Sequence, residues 1–206
     1  ASSGANAEID LRRIVRLIGA ATERAELAPA RRPWLDPLPA VVSLFDLPRG
    51  ETDDAIPIGI EDLPSKQTRG VAHFRPDQDG SMLVFGMGGS GKTVFLRTLT
   101  LSCVLSKSRA PVNVYGLDFA GRGLEMIKDL PQVGDVVAPD DYDKLTRLLT
   151  LLRDTIDRRA TRFAEVNAAT LGEFRQLRPD EAPARILLLI DGYDAFTAAY
   201  ERIDRG

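Results

Sequence analysis

An α/β fold with a mainly parallel sheet flanked by helices is what this sequence predicts, and three observations carry it. Uninterrupted apolar runs at Met82–Phe85, Val112–Leu117 and Ile186–Ile190 read as strands buried on both faces. Helical periodicity lies between them, so strand and helix alternate as a parallel sheet requires. A glycine-rich segment joins the first run to a helical pattern that opens at Lys92.

Taken in order, Ile9, Leu11, Ile14, Leu17, Ile18 and Ala21 recur at near-helical spacing with Arg12, Arg13 and Arg16 among them, which predicts an amphipathic helix with a solvated basic face. Pro29, Pro33, Pro37 and Pro39 follow and forbid regular helix. That stretch reads as an extended linker, anchored by Trp34. Three strand-like pieces come next: Val41–Phe45, the alternating Ile56, Ile58 and Ile60, and a piece holding Val71, His73 and Phe74. The lone His73 reads as structural. Arg75–Ser81 is a turn.

Beyond the second apolar run, Asp140 is expected to open a long helix. Leu145, Leu148, Leu149, Leu152, Ile156, Ala160 and Phe163 form its buried stripe. Arg153 with Asp157 and Asp154 with Arg158 should pair across its outer face. Thr170 and Glu173 form a capping box for one more helix. Residues 1–39 are thus assigned to the N-terminal helix and Pro-rich linker. Residues 40–206 are assigned to the α/β domain, incomplete at its C-terminal side.

Bulk properties restrict the function. The 206 residues, 44% hydrophobic and 28% charged, suffice for one core with an extension and argue against wholesale disorder. A net charge of −3 lacks the basic excess of a free-standing nucleic-acid binder. A single cysteine, Cys103, excludes an internal disulfide framework and fits a reducing compartment. Its apolar surroundings mark it as a small buried residue. No apolar run is long enough to span a membrane.

The chemistry concentrates in GMGGSGKT, Gly86–Thr93, which matches the phosphate-binding P-loop pattern G-x-x-x-x-G-K-[ST]. Gly86, Gly88, Gly89 and Gly91 let the backbone turn its N–H groups inward around phosphate. The helix from Lys92 adds its positive dipole end. Lys92 should reach the β- and γ-phosphates, and the Thr93 hydroxyl should ligate Mg²⁺. The run RILLLID places Asp191 at the carboxyl end of a buried strand, the Walker B position, where it would hold the same Mg²⁺. The expected nucleotide site is therefore Gly86, Met87, Gly88, Gly89, Ser90, Gly91, Lys92, Thr93, Val94 and Asp191, with ATP and Mg²⁺ as ligands and Met87 given no chemistry of its own. Many hydrolytic members of the class carry glutamate directly after that aspartate; here Gly192 stands there. Asp194 is a weak substitute as general base, so ATP binding with weak or absent hydrolysis is expected. Asp118 ends the neighbouring run and reads equally as a site residue or a strand-end cap. Arg97 reads as structural.

The motifs resemble the FtsK/SpoIIIE group of P-loop ATPases. GSMLVFGMGGSGKTVFLRTLTLS looks like that group's strand, P-loop and first helix. LDFAGRGLEMIKDLPQVGDVV is similar to its second strand end and following turn, and RRATRFAEVNAATLGEFR to the helices before Walker B. Within the group, PWLDPLPAVVSLFDL, IPIGIEDLPSKQTRGVAHFRP and LLIDGYDAF look most like tandem ATPase modules of the EccC family of actinobacterial type VII (ESX) secretion. The resemblance implies a RecA/FtsK-like fold and a module of a membrane-anchored motor on the cytoplasmic face of the cell membrane. It implies neighbouring ATPase domains in the same parent chain, secreted small helical WXG-type proteins recognised through a C-terminal signal, and a homo-hexameric parent. Such modules continue past Walker B with further strands, so no arginine finger or phosphate sensor is assigned. The alternative is an FtsK-type double-stranded DNA translocase, which the acidic balance disfavours.

Overall fold

The structure is a computed structural model that describes residues 3–28, 34–48, 55–105 and 112–204. Two units are distinguished by contact density: Ala1–Pro37 with Pro64–Thr68, and Leu38–Leu63 with Arg69–Gly206.

The first unit contains helix α1, Ser3–Arg24, longer at both ends than the periodicity marks. Its apolar residues Leu11, Ile14, Val15, Leu17 and Ile18 are exposed. Glu26 ends the helix in a left-handed turn, φ 49°, and Leu27 donates its N–H to the Thr22 carbonyl. Pro29 and Pro33 lie outside the described residues. Trp34, expected to anchor the linker, is exposed.

The second unit is the α/β domain. Val41–Phe45 is not a strand. Ser43 is the reason: its hydroxyl accepts from Phe45 N at 3.2 Å and its carbonyl from Asp46 N at 3.1 Å. Such local bonds offer the backbone an alternative to a ladder. Strands β1, Ile56–Leu63, and β2, Thr68–Phe74, form a two-stranded sheet. The link between them, Pro64–Gln67, is too short for a parallel crossover. The turn at Arg75–Ser81 tightens into one helical turn, α2, Pro76–Asp79, whose Asp79 carboxylate accepts from Arg75 N at 2.6 Å.

Helix α3, Lys92–Leu105, leads to β3, Val112–Asp118; then come β4, Val133–Val137, helix α4, Tyr142–Glu165, helix α5, Leu171–Leu177, strand β5, Arg185–Asp191, and helix α6, Tyr193–Asp204. The three later strands form a parallel sheet in the order β4-β3-β5. Val114 and Leu189 face one side, packed with Leu99 and Cys103 of α3. Leu117 and Ile190 face the other, packed with Leu145 and Leu148 of α4 and Phe196 of α6. A register shift in β4 lets Val133 and Val136, three residues apart, share one face.

Four expectations fail here. Met82–Phe85 joins no ladder, and Leu83 and Phe85 are exposed. Among the described residues the sheet ends at β5, and no strand lies beside 82–85 to take its backbone groups. The stripe of α4 is buried only in its first half, for Ile156 and Ala160 are exposed. With 24 residues the helix runs roughly 36 Å, whereas a seven-residue strand runs roughly 23 Å, so α4 outlasts the sheet it covers. Its far end regains cover where Phe163 stacks on Phe174 of α5 at 4.8 Å. The pairs Arg153–Asp157 and Asp154–Arg158 do not close among the described residues; Arg158 instead donates to the Asp154 carbonyl and the Thr155 hydroxyl. The cap of α4 is Asp141, not Asp140; its carboxylate accepts from Lys144 N at 3.1 Å.

The capping box of α5 forms. Thr170 Oγ1 accepts from Glu173 N, and Glu173 reaches back to Ala169 N at 2.7 Å. Far from the P-loop, at the start of β5, Arg185 grips Asp77 of α2 with both guanidinium nitrogens at 2.6 and 2.7 Å. That hydrogen bonding holds the Asp77 carboxyl below the usual carboxylate range. Burial pushes the Cys103 thiol up to about 12, which makes it an inert core residue.

Candidate functional site

The site forms where α3 begins and where β3 and β5 end. Gly89 and Gly91 take left-handed φ values of 77° and 93°, and a side chain added at Gly86 would collide with that of Ser90. These glycines allow the chain to wind tightly into α3, whose first turn closes with Phe95 N donating to Gly91 O at 2.8 Å. Lys92 Nζ donates to the Gly86 and Met87 carbonyls at 2.8 and 2.9 Å, so its ammonium lies across the mouth of the loop. Met87 and Val94 are exposed.

Thr93 meets Asp191. The hydroxyl donates to Asp191 Oδ2 at 2.6 Å, across 98 residues of sequence. Asp191 is buried at the end of β5, directly in register with Asp118 at the end of β3. Thr93 of the glycine-rich loop and the strand-end Asp191, expected together from sequence, are thus hydrogen-bonded. Among the described residues no three His, Cys, Asp or Glu side chains cluster as metal ligands. The two oxygens that do meet, Thr93 Oγ1 and Asp191 Oδ2, are hard donors of the kind a Mg²⁺ ion takes from protein, its other positions going to phosphate oxygens and water.

Asp118 resolves as a cap that also stands at the site. It is buried, and its two oxygens accept from Arg122 N at 3.0 Å and Leu124 N at 2.6 Å. With both oxygens engaged by backbone, it shapes the loop after β3. Arg97 is structural, as expected: its Nε donates to Gly123 O at 2.6 Å and ties α3 to that loop. Asp194 lies exposed in the first turn of α6, where a carboxylate suits the helix dipole.

Two features escaped sequence reasoning. Gly192, read as the loss of a glutamate, has φ +78°, and a Cβ there would stand 2.8 Å from the Phe119 carbonyl carbon and 2.9 Å from Ala120 N. The backbone of the β3 loop occupies the space that any side chain at 192 needs. The other is that loop itself, Phe119–Leu124, pressed so close to α3 that a Cβ on Gly123 would stand 2.5 Å from Thr93 Cγ2. The paired glycines of AGRG were the only sequence signal for it.

A glycine-rich loop opening a helix, a threonine on a strand-end aspartate and a parallel sheet with helices on both faces define a P-loop NTPase. The FtsK/SpoIIIE family model matches residues 46–202, and the chain belongs to that family. It is 28% identical over 197 residues to the type VII secretion system protein EssC of Staphylococcus aureus, a match that takes in 91% of this chain and 13% of EssC. Among solved structures it is similar to ATPases 2 and 3 of Thermomonospora curvata EccC in complex with a signal sequence peptide, with a TM-score of 0.65, 26% identity, and coverage of 74% of this chain and 29% of that one. The cytoplasmic domain of the type VII secretion ATPase EccC from the same organism shares the fold, with a TM-score of 0.70 at 24% identity over 84% of this chain and 22% of that one. The chain is homologous to ATPase domains of type VII secretion and spans a small part of the relatives it matches.

Proposed function

We propose that this chain is an ATP-binding module of a type VII secretion motor, binding Mg-ATP with weak or absent hydrolysis. The observation that carries the reading is the Thr93–Asp191 hydrogen bond at the mouth of the P-loop, beside a Gly192 that has no room for a side chain. Lys92 would neutralise the β- and γ-phosphates, and the loop N–H groups with the α3 dipole would cradle them. Thr93 and Asp191 would hold Mg²⁺, which neutralises phosphate charge when bound. Glycine at 192 supplies no general base, and rate help of roughly 10²–10⁴-fold is forgone with it. Bound ATP would then stabilise the folded module by mass action and serve as a switch.

The similarity to an EccC structure with a signal sequence peptide supports a role in recognising small helical secreted proteins through their C-terminal signals. Similarity to a structure of tandem ATPases supports neighbouring ATPase domains, and similarity to the cytoplasmic domain of EccC supports a place on the cytoplasmic face of the membrane; a homo-hexameric parent is part of the same proposal. No described helix is long and apolar enough to cross a membrane. An FtsK-type DNA translocase is the lesser reading, because the chain carries a net charge of −3.

The test is calorimetric titration of Mg-ATP into the wild-type chain and Lys92→Ala, beside steady-state turnover. Saturable binding lost in Lys92→Ala, with turnover near background, is expected. Fast intrinsic turnover sinks the weak-hydrolysis reading, and absence of binding sinks the nucleotide site. DNA-stimulated turnover favours the translocase.

A further inference from the structure

We propose that Arg122 is a ligand for the terminal phosphate of the nucleotide held by Lys92 and Thr93, and that Asp140 competes with that phosphate for its guanidinium. The proposal rests on the P-loop as an ATP site and adds a residue from the opposite rim.

Arg122 is held where such a ligand is needed. The buried Asp118 carboxylate fixes its backbone through the bonds to Arg122 N and Leu124 N. The next residue, Gly123, is locked against Thr93 Cγ2 and accepts from Arg97 Nε. One Cα–Cα step of about 3.8 Å separates Arg122 from that contact. The long arginine side chain therefore starts one residue from the backbone packed on the Thr93 methyl, the side chain whose hydroxyl is assigned to Mg²⁺.

Its backbone is unusual for an arginine. Arg122 has φ +60° and follows Gly121 at φ +128°. Such a conformation favours glycine or asparagine, so neither propensity nor the loop itself selects arginine here. The side chain fills no core: it is 72% exposed, and the carboxylate it meets, Asp140, lies at 3.8 Å and is 75% exposed. An exposed ion pair that long is weak and readily exchanged.

The charge balance asks for a cation at this rim. Asp118 and Asp191 stand side by side at the strand ends, and a triphosphate would bring three or four more negative charges. Lys92 serves the α3 side. On the β3 side Arg122 is the cation of the loop, and its planar fork matches phosphate oxygens in pairs. A terminal phosphate drawing Arg122 off Asp140 would release the residue directly before the α4 cap, Asp141. ATP and ADP would thus differ in how they set the β4–α4 connection.

The test measures Mg-ATP and Mg-ADP affinities of the full chain by calorimetry for wild type, Arg122→Asn, Arg122→Lys, Asp140→Asn and Lys92→Ala. Asparagine tolerates the left-handed backbone while removing the charge. Arg122→Asn should weaken ATP binding about tenfold and ADP binding less than threefold. Arg122→Lys should fall between it and wild type. Asp140→Asn should tighten ATP binding, and an unchanged affinity overturns the competition. The ATP-to-ADP affinity ratio is the decisive readout, because partial unfolding lowers both affinities alike and leaves the ratio intact. An unchanged ratio in Arg122→Asn, with binding that Lys92→Ala abolishes, overturns this proposal alone. A wild-type chain that binds no nucleotide overturns the P-loop reading as well.

Discussion

Gly192→Ala adds one methyl group at a point where the backbone of the β3 loop already lies within 2.9 Å. Two penalties combine. The left-handed φ of +78° disfavours any L-residue by roughly 1–2 kcal/mol. Contact with the Phe119 carbonyl carbon and Ala120 N adds about 1–3 kcal/mol of overpacking, because backbone cannot swing aside as a side chain end would. The loop is moreover tied to β5, with Phe119 N donating to Asp191 O at 2.8 Å. A loss of about 2–5 kcal/mol lowers Tm by about 5–15 °C for a domain of this size. Gly192→Glu should be at least as unstable and should gain no ATP turnover, although it writes Asp-Glu into the sequence. Circular dichroism melting and a phosphate-release assay on both variants measure this. A Gly192→Glu chain that melts with wild type and hydrolyses ATP faster would refute the steric argument.

Asp77→Asn leaves the buried Arg185 guanidinium with a neutral partner. Urea unfolding should show a loss of about 3–5 kcal/mol, the usual result of breaking a buried pair. The folded Asp77 carboxyl is more acidic than the unfolded one, so its contribution is full above pH about 4 and disappears as pH falls through the lower folded value. Wild type should therefore lose stability in acid more steeply than Asp77→Asn. Asp118→Asn can accept only one of two N–H groups and should cost about 1–3 kcal/mol, with faster hydrogen exchange at Arg122 and Leu124. Thr93→Ala removes the hydroxyl on Asp191; ATP affinity that rises with Mg²⁺ in wild type should become insensitive to Mg²⁺ in the variant.

What was legible in the sequence was whatever depends on short-range pattern. The apolar runs of β3 and β5 contain enough β-branched and leucine residues to predict buried strands, and both lie in the parallel sheet. Thr170 and Glu173 stand at a spacing that only a helix start explains, and the cap forms. The glycine spacing of 86–91 followed by Lys92 carries its own chemistry. The illegible parts depend on neighbours distant in sequence. Met82–Phe85 has a strand's composition, yet a strand exists only when another strand pairs with it. Ile156 follows the α4 stripe, but burial ends where the sheet ends. Ser43 redirected a β-rich stretch through a single hydroxyl. Gly192 was read for the glutamate it lacks, whereas the structure gives it a steric task set by residues more than seventy positions earlier in the chain.

The central claim, that this P-loop binds ATP without efficient hydrolysis, is tested most directly by identifying the nucleotide retained by the chain after incubation with Mg-ATP and rapid desalting. Retained ATP, intact over many minutes and absent from Lys92→Ala, is the expected result. Retained ADP with released phosphate, or no difference between wild type and Lys92→Ala, would contradict it.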